Sequence, residues 1–332
     1  MRQQWGLRAT ALAATVTALV GCSVGGDDAD ASETGESSAV PAPQKLLALD
    51  EFAALNALTL GGVKPDTVFA TLQSQAAKEI LQSEGGIEVV DKPTFFQSPD
   101  AEQIAAVHPD RILLSDVGSL TSITVRANEI APDDGARLCG AVARSSEYRG
   151  DCTGSRVRSS RNRVELEAKF AEVSGTVEAQ PQTLSVLVGF SGGIYTVIPQ
   201  SPMSSIIEEA GFGRPQAELD AKIGPNTGVA TSSVSGEEVG QHAADAMVVT
   251  SGNIYDGALV HANPLFNEIS AVKAGRTVDV SGELWFGSYP FAVYWILEDL
   301  EALADLTLTG AELQGRIASD ADAVTRWKAF SK

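Results

Sequence analysis

Lys45-Leu-Leu-Ala-Leu-Asp-Glu-Phe-Ala-Ala-Leu-Asn-Ala-Leu-Thr-Leu-Gly-Gly62 reads as a strand running straight into a helix. Residues 45–49 are a short apolar run of strand length, and residues 51–60 a longer apolar segment closed by a glycine pair, which stops a helix. The same alternation continues outward. Residues 67–70 predict a strand, 73–83 a helix ended by Gly85-Gly86, 87–90 a strand, 100–107 a helix and 111–115 a strand. Strands alternating with helices predict a parallel α/β sheet.

The pattern breaks at residues 133–163, which are rich in Gly, Ser and Arg. Residues 161–179 then predict one helix, with Val164, Leu166, Phe170, Val173 and Val177 at roughly helical spacing and Pro181 behind them. Beyond it the alternation resumes, with strands at 184–188, 246–250 and 277–280 and helices at 204–210 and 292–304. No short repeat runs through the chain. The expected architecture is two α/β lobes, residues 44–160 and 181–332, joined by one helix over 161–180. Two lobes around a cleft suit the engulfing of a small ligand.

The N-terminus predicts export. Arg2 and Arg8 precede an apolar stretch at 9–20, too short to span a bilayer. Leu19-Val20-Gly21-Cys22 matches a bacterial lipobox, so residues 1–21 read as a signal peptide and Cys22 as the lipidated residue. From Cys22 to Pro43 the chain is mostly Gly, Ser, Asp, Glu, Ala and Pro with no aromatic residue, a composition that cannot bury enough surface to order itself. Such a tether reaches roughly 25 Å. Lipid is thus the expected anchor, at the outer side of the cell membrane.

The remainder is globular in composition: over the whole chain 44% of residues are hydrophobic and 20% charged. A net charge of −19 argues against nucleic-acid binding, which needs basic patches. Cys139 and Cys152 form an even pair in an oxidising compartment, which predicts a disulfide worth roughly 3 kcal/mol in the chain-entropy picture. The three histidines, His108, His242 and His261, share no metal-ligand spacing, so neither a bare-metal site nor a cofactor is expected.

Several segments resemble the iron-siderophore and cobalamin substrate-binding proteins of ABC importers. They are Leu47–Gly61 with Val63-Lys64-Pro65, Glu102-Gln-Ile-Ala-Ala-Val-His-Pro-Asp110, Ser235-Gly-Glu237-Glu-Val with Ala244-Asp245, Asn263-Pro-Leu-Phe266, and Trp285-Phe286-Gly287. Their order and spacing together carry the resemblance. It implies a class III body, two Rossmann-like lobes with central parallel sheets, joined by one long helix and holding a ferric siderophore between them. Haem and cobalamin rank behind as ligands. It also implies a separate permease and ATPase as partners of a monomer, met through Glu102 on one lobe and Glu237 on the other. The Cys-bounded insert at 133–160 departs from the family pattern.

Ligands of open α/β sheets sit beyond the carboxyl ends of strands. That nominates Phe96, Ser115, Asp116, Phe190, Tyr195, Tyr255, Trp285, Phe286 and Tyr289, mostly aromatics in a chain only 6% aromatic. Arg149 and Arg156 belong to a run of arginines at 144–163 suited to an anionic chelate. One motif points elsewhere. Gly189-Phe-Ser-Gly-Gly193 matches the G-x-S-x-G elbow of serine hydrolases, with Asp256 and His261 following in order. Yet residues 194–199 read as extended chain, where an elbow opens into a helix. A binding protein without catalytic residues is the favoured reading, and an exported hydrolase using Ser191 the alternative.

Overall fold

A computed structural model describes residues 45–61, 63–92, 99–115, 137–141, 156–223, 230–287 and 289–330. The first sheet is built from β1 (Leu46–Ala48), β2 (Thr67–Ala70), β3 (Glu88–Asp91), β4 (Arg111–Ser115) and β5 (Arg137–Ala141). Their order is β3-β2-β1-β4-β5, all parallel, with Leu47 opposite both Thr67 and Ile112. Helices α1 (Glu51–Gly61), α2 (Gln75–Ser83) and α3 (Ala101–Val107) make the crossovers. The chain builds outward from β1 to β3 and then crosses back to β4, so the topology reverses between β1 and β4.

The central strands β1, β2 and β4 are buried on both faces because both faces are covered. Leu46, Ala48, Val68 and Leu113 face the main core, while Leu47, Leu49, Phe69, Ile112 and Leu114 pack with Ile104 of α3 on the other side. A one-residue slip would exchange these two sets. Each fully buried Leu or Ile contributes about 1.5–3 kcal/mol.

Helix α4 (Arg156–Ala179) leaves the first lobe. Its start precedes the expected residue 161. Leu166, Phe170, Val173 and Val177 turn to the core, whereas Val164 is 64% exposed and lies off that stripe. Flanking that stripe, Lys169 Nζ lies 2.8 Å from Glu298 and also pairs with Glu301, fixing α4 against the helix at Pro290–Ala304.

The second sheet comprises β6 (Leu184–Phe190), β7 (Gly193–Val197), β8 (Thr231–Val234), β9 (Ala246–Ser251) and β10 (Thr277–Ser281) in the order β10-β9-β6-β7-β8. β6, β9 and β10 are parallel, as expected for a central parallel sheet, but β7 pairs antiparallel with both β6 and β8. Around the sheet run α5 (Pro202–Glu209), α6 (Gln216–Leu219), α7 (Gly257–His261), α8 (Ser270–Lys273), α9 (Gly282–Trp285), α10 (Pro290–Ala304), α11 (Gly310–Gln314) and α12 (Ala323–Phe330). Here the reversal falls between β6 and β9.

One apolar core runs through both lobes by way of α1, α4 and α10. The chain end reinforces it. α12 returns to α2 of the first lobe, burying Trp327 and Phe330 against Phe291, and Trp327 Nε1 donates to Glu84 Oε1 at 2.5 Å. Arg276 donates to the carbonyls of Leu303, Asp305 and Leu308, closing the C-terminal end of α10. No helix among the described residues is long and apolar enough to cross a membrane.

Candidate ligand site between the lobes

Both topological reversals place their crevices at strand carboxyl ends, the usual ligand position in open α/β sheets. In the first lobe the crevice is set by Asp50 and Glu51, two buried carboxylates directly after β1. Asp50 Oδ1 accepts from Ala53 N at 2.7 Å and caps α1, while its Oδ2 accepts from Ser115 N at 2.8 Å and fixes the end of β4. Glu51 accepts from Leu72 N at 2.9 Å and Ser74 N at 3.0 Å, so it holds the loop after β2. Burial pushes Asp50 up and Glu51 up to about 7. Between those two donors sits Gln73, at φ 52°, a left-handed backbone that is uncommon outside glycine. Its side-chain amide donates to Lys92 O at 2.6 Å.

The second lobe mirrors this arrangement. Glu283, buried directly after β10, accepts from Ile254 N at 3.4 Å and holds the loop after β9. Burial raises its carboxyl. Gly252 makes room for it, since a methyl there would lie 2.2 Å from Glu283 Oε2. The two loops meet, with Asn253 Nδ2 donating to Gln73 O at 3.3 Å across the lobes. Beside them Phe52 packs on Tyr289 with ring centroids 5.1 Å apart.

Of the nominated aromatics, four come together. Tyr255 stacks on Phe286 at 5.2 Å with planes 4° apart, and Phe190 lies 6.2 Å from Tyr255 and 6.5 Å from Tyr195. All four are half-buried. Trp285 and Tyr289, also nominated, lie in the core instead. Trp285 Nε1 donates to the buried Asp299 at 2.8 Å, and Tyr289 is enclosed between Phe52 and Phe291. Ser115 stands at the end of β4 beside Asp50. Glu102, in the first turn of α3, and Glu237, ahead of a 3₁₀ turn at Val239–His242, are exposed on separate lobes. Arg156 begins α4, and Cys139 lies in β5. Phe96, Asp116, Arg149, Cys152, the signal peptide, Cys22 and the tether lie outside the described residues, as does the side chain of Arg156.

Residue patterns alone missed Glu51, Gln73 and Glu283 as organisers of the site. An acidic residue directly after an apolar strand is the signal that could have found the two glutamates.

The hydrolase alternative loses its geometry. Gly189–Gly193 is a two-residue hairpin between β6 and β7, with Ser191 at φ 47° and Gly192 at φ 79°, as a type I′ turn requires. A strand follows Ser191, not a helix. Gly189 is glycine for another reason: Asp256 N donates to its carbonyl at 2.8 Å, and a methyl there would sit 1.8 Å from Asp256 O. His261 is bound to Asp279 at 2.9 Å.

Solved structures share this arrangement of lobes. The petrobactin-binding protein YclQ of Bacillus subtilis superposes with a TM-score of 0.64 at 16% identity, covering 79% of this chain and 92% of its own. The fold is that of the siderophore-binding proteins. The siderophore periplasmic binding protein from the fuscachelin gene cluster of Thermobifida fusca gives 0.61 at 20% identity, with 80% and 98% covered. FhuD2 of Staphylococcus aureus with bound ferrioxamine B gives 0.60 at 17%, with 79% and 98% covered. No protein-family model matches the sequence, and no curated protein matches it.

Proposed function

We propose that this chain captures a ferric siderophore between its lobes and delivers it to an ABC-type permease and its ATPase. The observation that carries the reading is the aromatic patch Phe190–Tyr195–Tyr255–Phe286, set at the carboxyl edge of a sheet in a fold shared with siderophore-binding proteins. Flat, half-buried rings suit a large chelate, and a few polar groups orient it. In this reading the chain is exported, lipidated at Cys22 and held outside the membrane by the tether that follows. Cys139 and Cys152 pair, and the protein acts as a monomer without a cofactor or a catalytic step. Glu102 and Glu237 meet basic residues of the permease, one from each lobe, and set the docking register.

The test is a tryptophan-fluorescence titration of the full-length chain in detergent. Its panel holds hydroxamate, catecholate and carboxylate ferric siderophores, haem and cobalamin. Saturable quenching by a ferric siderophore supports the assignment. Response to haem or cobalamin alone moves the substrate, and silence across the panel removes the function.

A further inference from the structure

Strand β8 runs antiparallel to β7, and β7 antiparallel to β6, so β8 leaves the sheet at the same edge as the carboxyl ends of β6, β9 and β10. The turn that carries Glu237 therefore stands at the ligand edge of the second lobe. It is held from within. Glu238 Oε2 accepts from Ser235 Oγ at 2.8 Å and from Ser235 N at 3.3 Å, and the 3₁₀ turn that follows buries Val239. A second turn is joined to this one. Asn263 Nδ2 donates to Gly236 O at 2.9 Å, while its Oδ1 accepts from Leu265 N at 2.8 Å and Phe266 N at 3.3 Å. One amide side chain thus holds Gly236 of one turn and Leu265 and Phe266 of the other.

The joined turns divide their side chains between inside and outside. Val239 and Phe266 pack in one apolar cluster with Leu187, Val249 and Val260. Leu265, next to Phe266, is 42% exposed, and Glu237 is exposed on the other turn. Exposed large apolar side chains also occur at Val164, Leu219, Ile223 and Leu306, and a single one needs no explanation. Leu265 differs in its setting, on a turn locked to the one that carries Glu237. The carboxylates beside it differ too. Glu238 is taken by Ser235, and Glu268 by Lys273 at 2.6 Å, whereas Glu237 has neither a hydrogen bond nor an ion pair among the described residues.

We infer that Glu237 and Leu265 form one docking surface, a carboxylate beside an apolar knob, for a permease face that offers a cation flanked by an apolar socket. This rests on the docking role proposed above for Glu237, and adds its apolar half and Asn263 as the residue that positions both. An exposed ion pair alone is screened by salt and binds weakly. An apolar contact at its side excludes water and strengthens the pair. Both turns are already ordered by Asn263 and by the buried Val239 and Phe266, so docking has little further chain to order.

The test uses the full-length chain in its own cells, with the native copy deleted, iron-starved and then given radioactive ferric chloride. Equal uptake with and without the wild-type chain overturns the siderophore function and this docking surface together. Where the wild type restores uptake, Leu265→Arg should lower it by roughly tenfold or more, and Leu265→Ala by less. Asn263→Asp keeps the acceptor for Leu265 N and Phe266 N but loses the donor to Gly236 O, and should also lower uptake. Leu306→Arg should leave it unchanged, since that leucine, 45% exposed, lies beside Arg276 at the amino end of β10. Circular dichroism confirms the fold of each variant. Wild-type uptake with Leu265→Arg, or an equal loss with Leu306→Arg, overturns the docking surface and leaves siderophore capture standing. A photo-cross-linking amino acid at position 265 supplies a readout independent of uptake. It should join the chain to a polytopic permease subunit, identified by mass spectrometry, and the same group at position 306 should not. Cross-linking at 265 to a second copy of this chain, or to no protein, overturns the choice of partner.

Discussion

Single residues set the interlobe surface through buried carboxyl groups. Glu51 fixes the loop that carries Gln73, and Glu283 fixes the loop that carries Asn253. Burial lifts Glu51 from 4.5 to about 7, so between those values the folded protein holds a proton that the unfolded chain releases. Stability from this group is therefore fully present below about pH 4.5, falls as pH rises to about 7, and is flat above. The change is on the order of 3 kcal/mol. Asp299, lifted to about 6 by burial, acts with the same sign. Urea midpoints of the wild type should fall between about pH 5 and about pH 7.5. Glu51→Gln should flatten part of that fall, at the cost of one acceptor for the Leu72 or Ser74 amide. An unchanged slope in the variant would assign the pH dependence to other carboxyls.

At the scale of elements, α12 is a strap from the chain end back to the first lobe. Its contact with α2 is long-range, and it closes the main core where α10 alone would leave Phe291 uncovered. Trp327→Ala should cost about 3–5 kcal/mol, since it empties a buried site beside Phe291 and Phe330. Trp327→Phe should cost far less, because the hydrogen bond to the exposed Glu84 contributes little next to the ring. Equal losses in the two variants would shift the weight from packing to the hydrogen bond. Chemical denaturation followed by circular dichroism separates the outcomes. The hairpin of β6 and β7 works at the same scale. It ends the central strand in a tight turn, so Phe190 is presented at the rim rather than buried.

For the whole molecule, one apolar core continues through both lobes, and the two proposed docking residues stand on separate lobes. Glu102 and Glu237 are exposed, so replacing both with Ala should leave the denaturation midpoint within about 0.5 kcal/mol of wild type. Under the proposed function, siderophore affinity should be unchanged and iron uptake by cells carrying the variant should be lost. Persistent uptake would place docking elsewhere on the surface.

The sequence by itself determined the alternating elements and their class. Buried parallel strands must be apolar on both faces, and helices between them need their own stops, so residues 45–62, 67–70 and 111–115 announce themselves locally. It also ordered the lobes and the joining helix, and the extended chain after Ser191 already told against a hydrolase. Tertiary structure decided what periodicity cannot carry. Strand β8, Thr-Ser-Ser-Val, has a polar sequence and becomes a strand through pairing with β7. Trp285 and Tyr289 look like rim aromatics from their place after β10, but α10 folds over them. Phe190, Tyr195, Tyr255 and Phe286 become one patch because β6, β7, β9 and α9 converge at a single sheet edge. Burial and adjacency belong to the packed chain, since residues far apart in sequence share neighbours only after the sheets have formed.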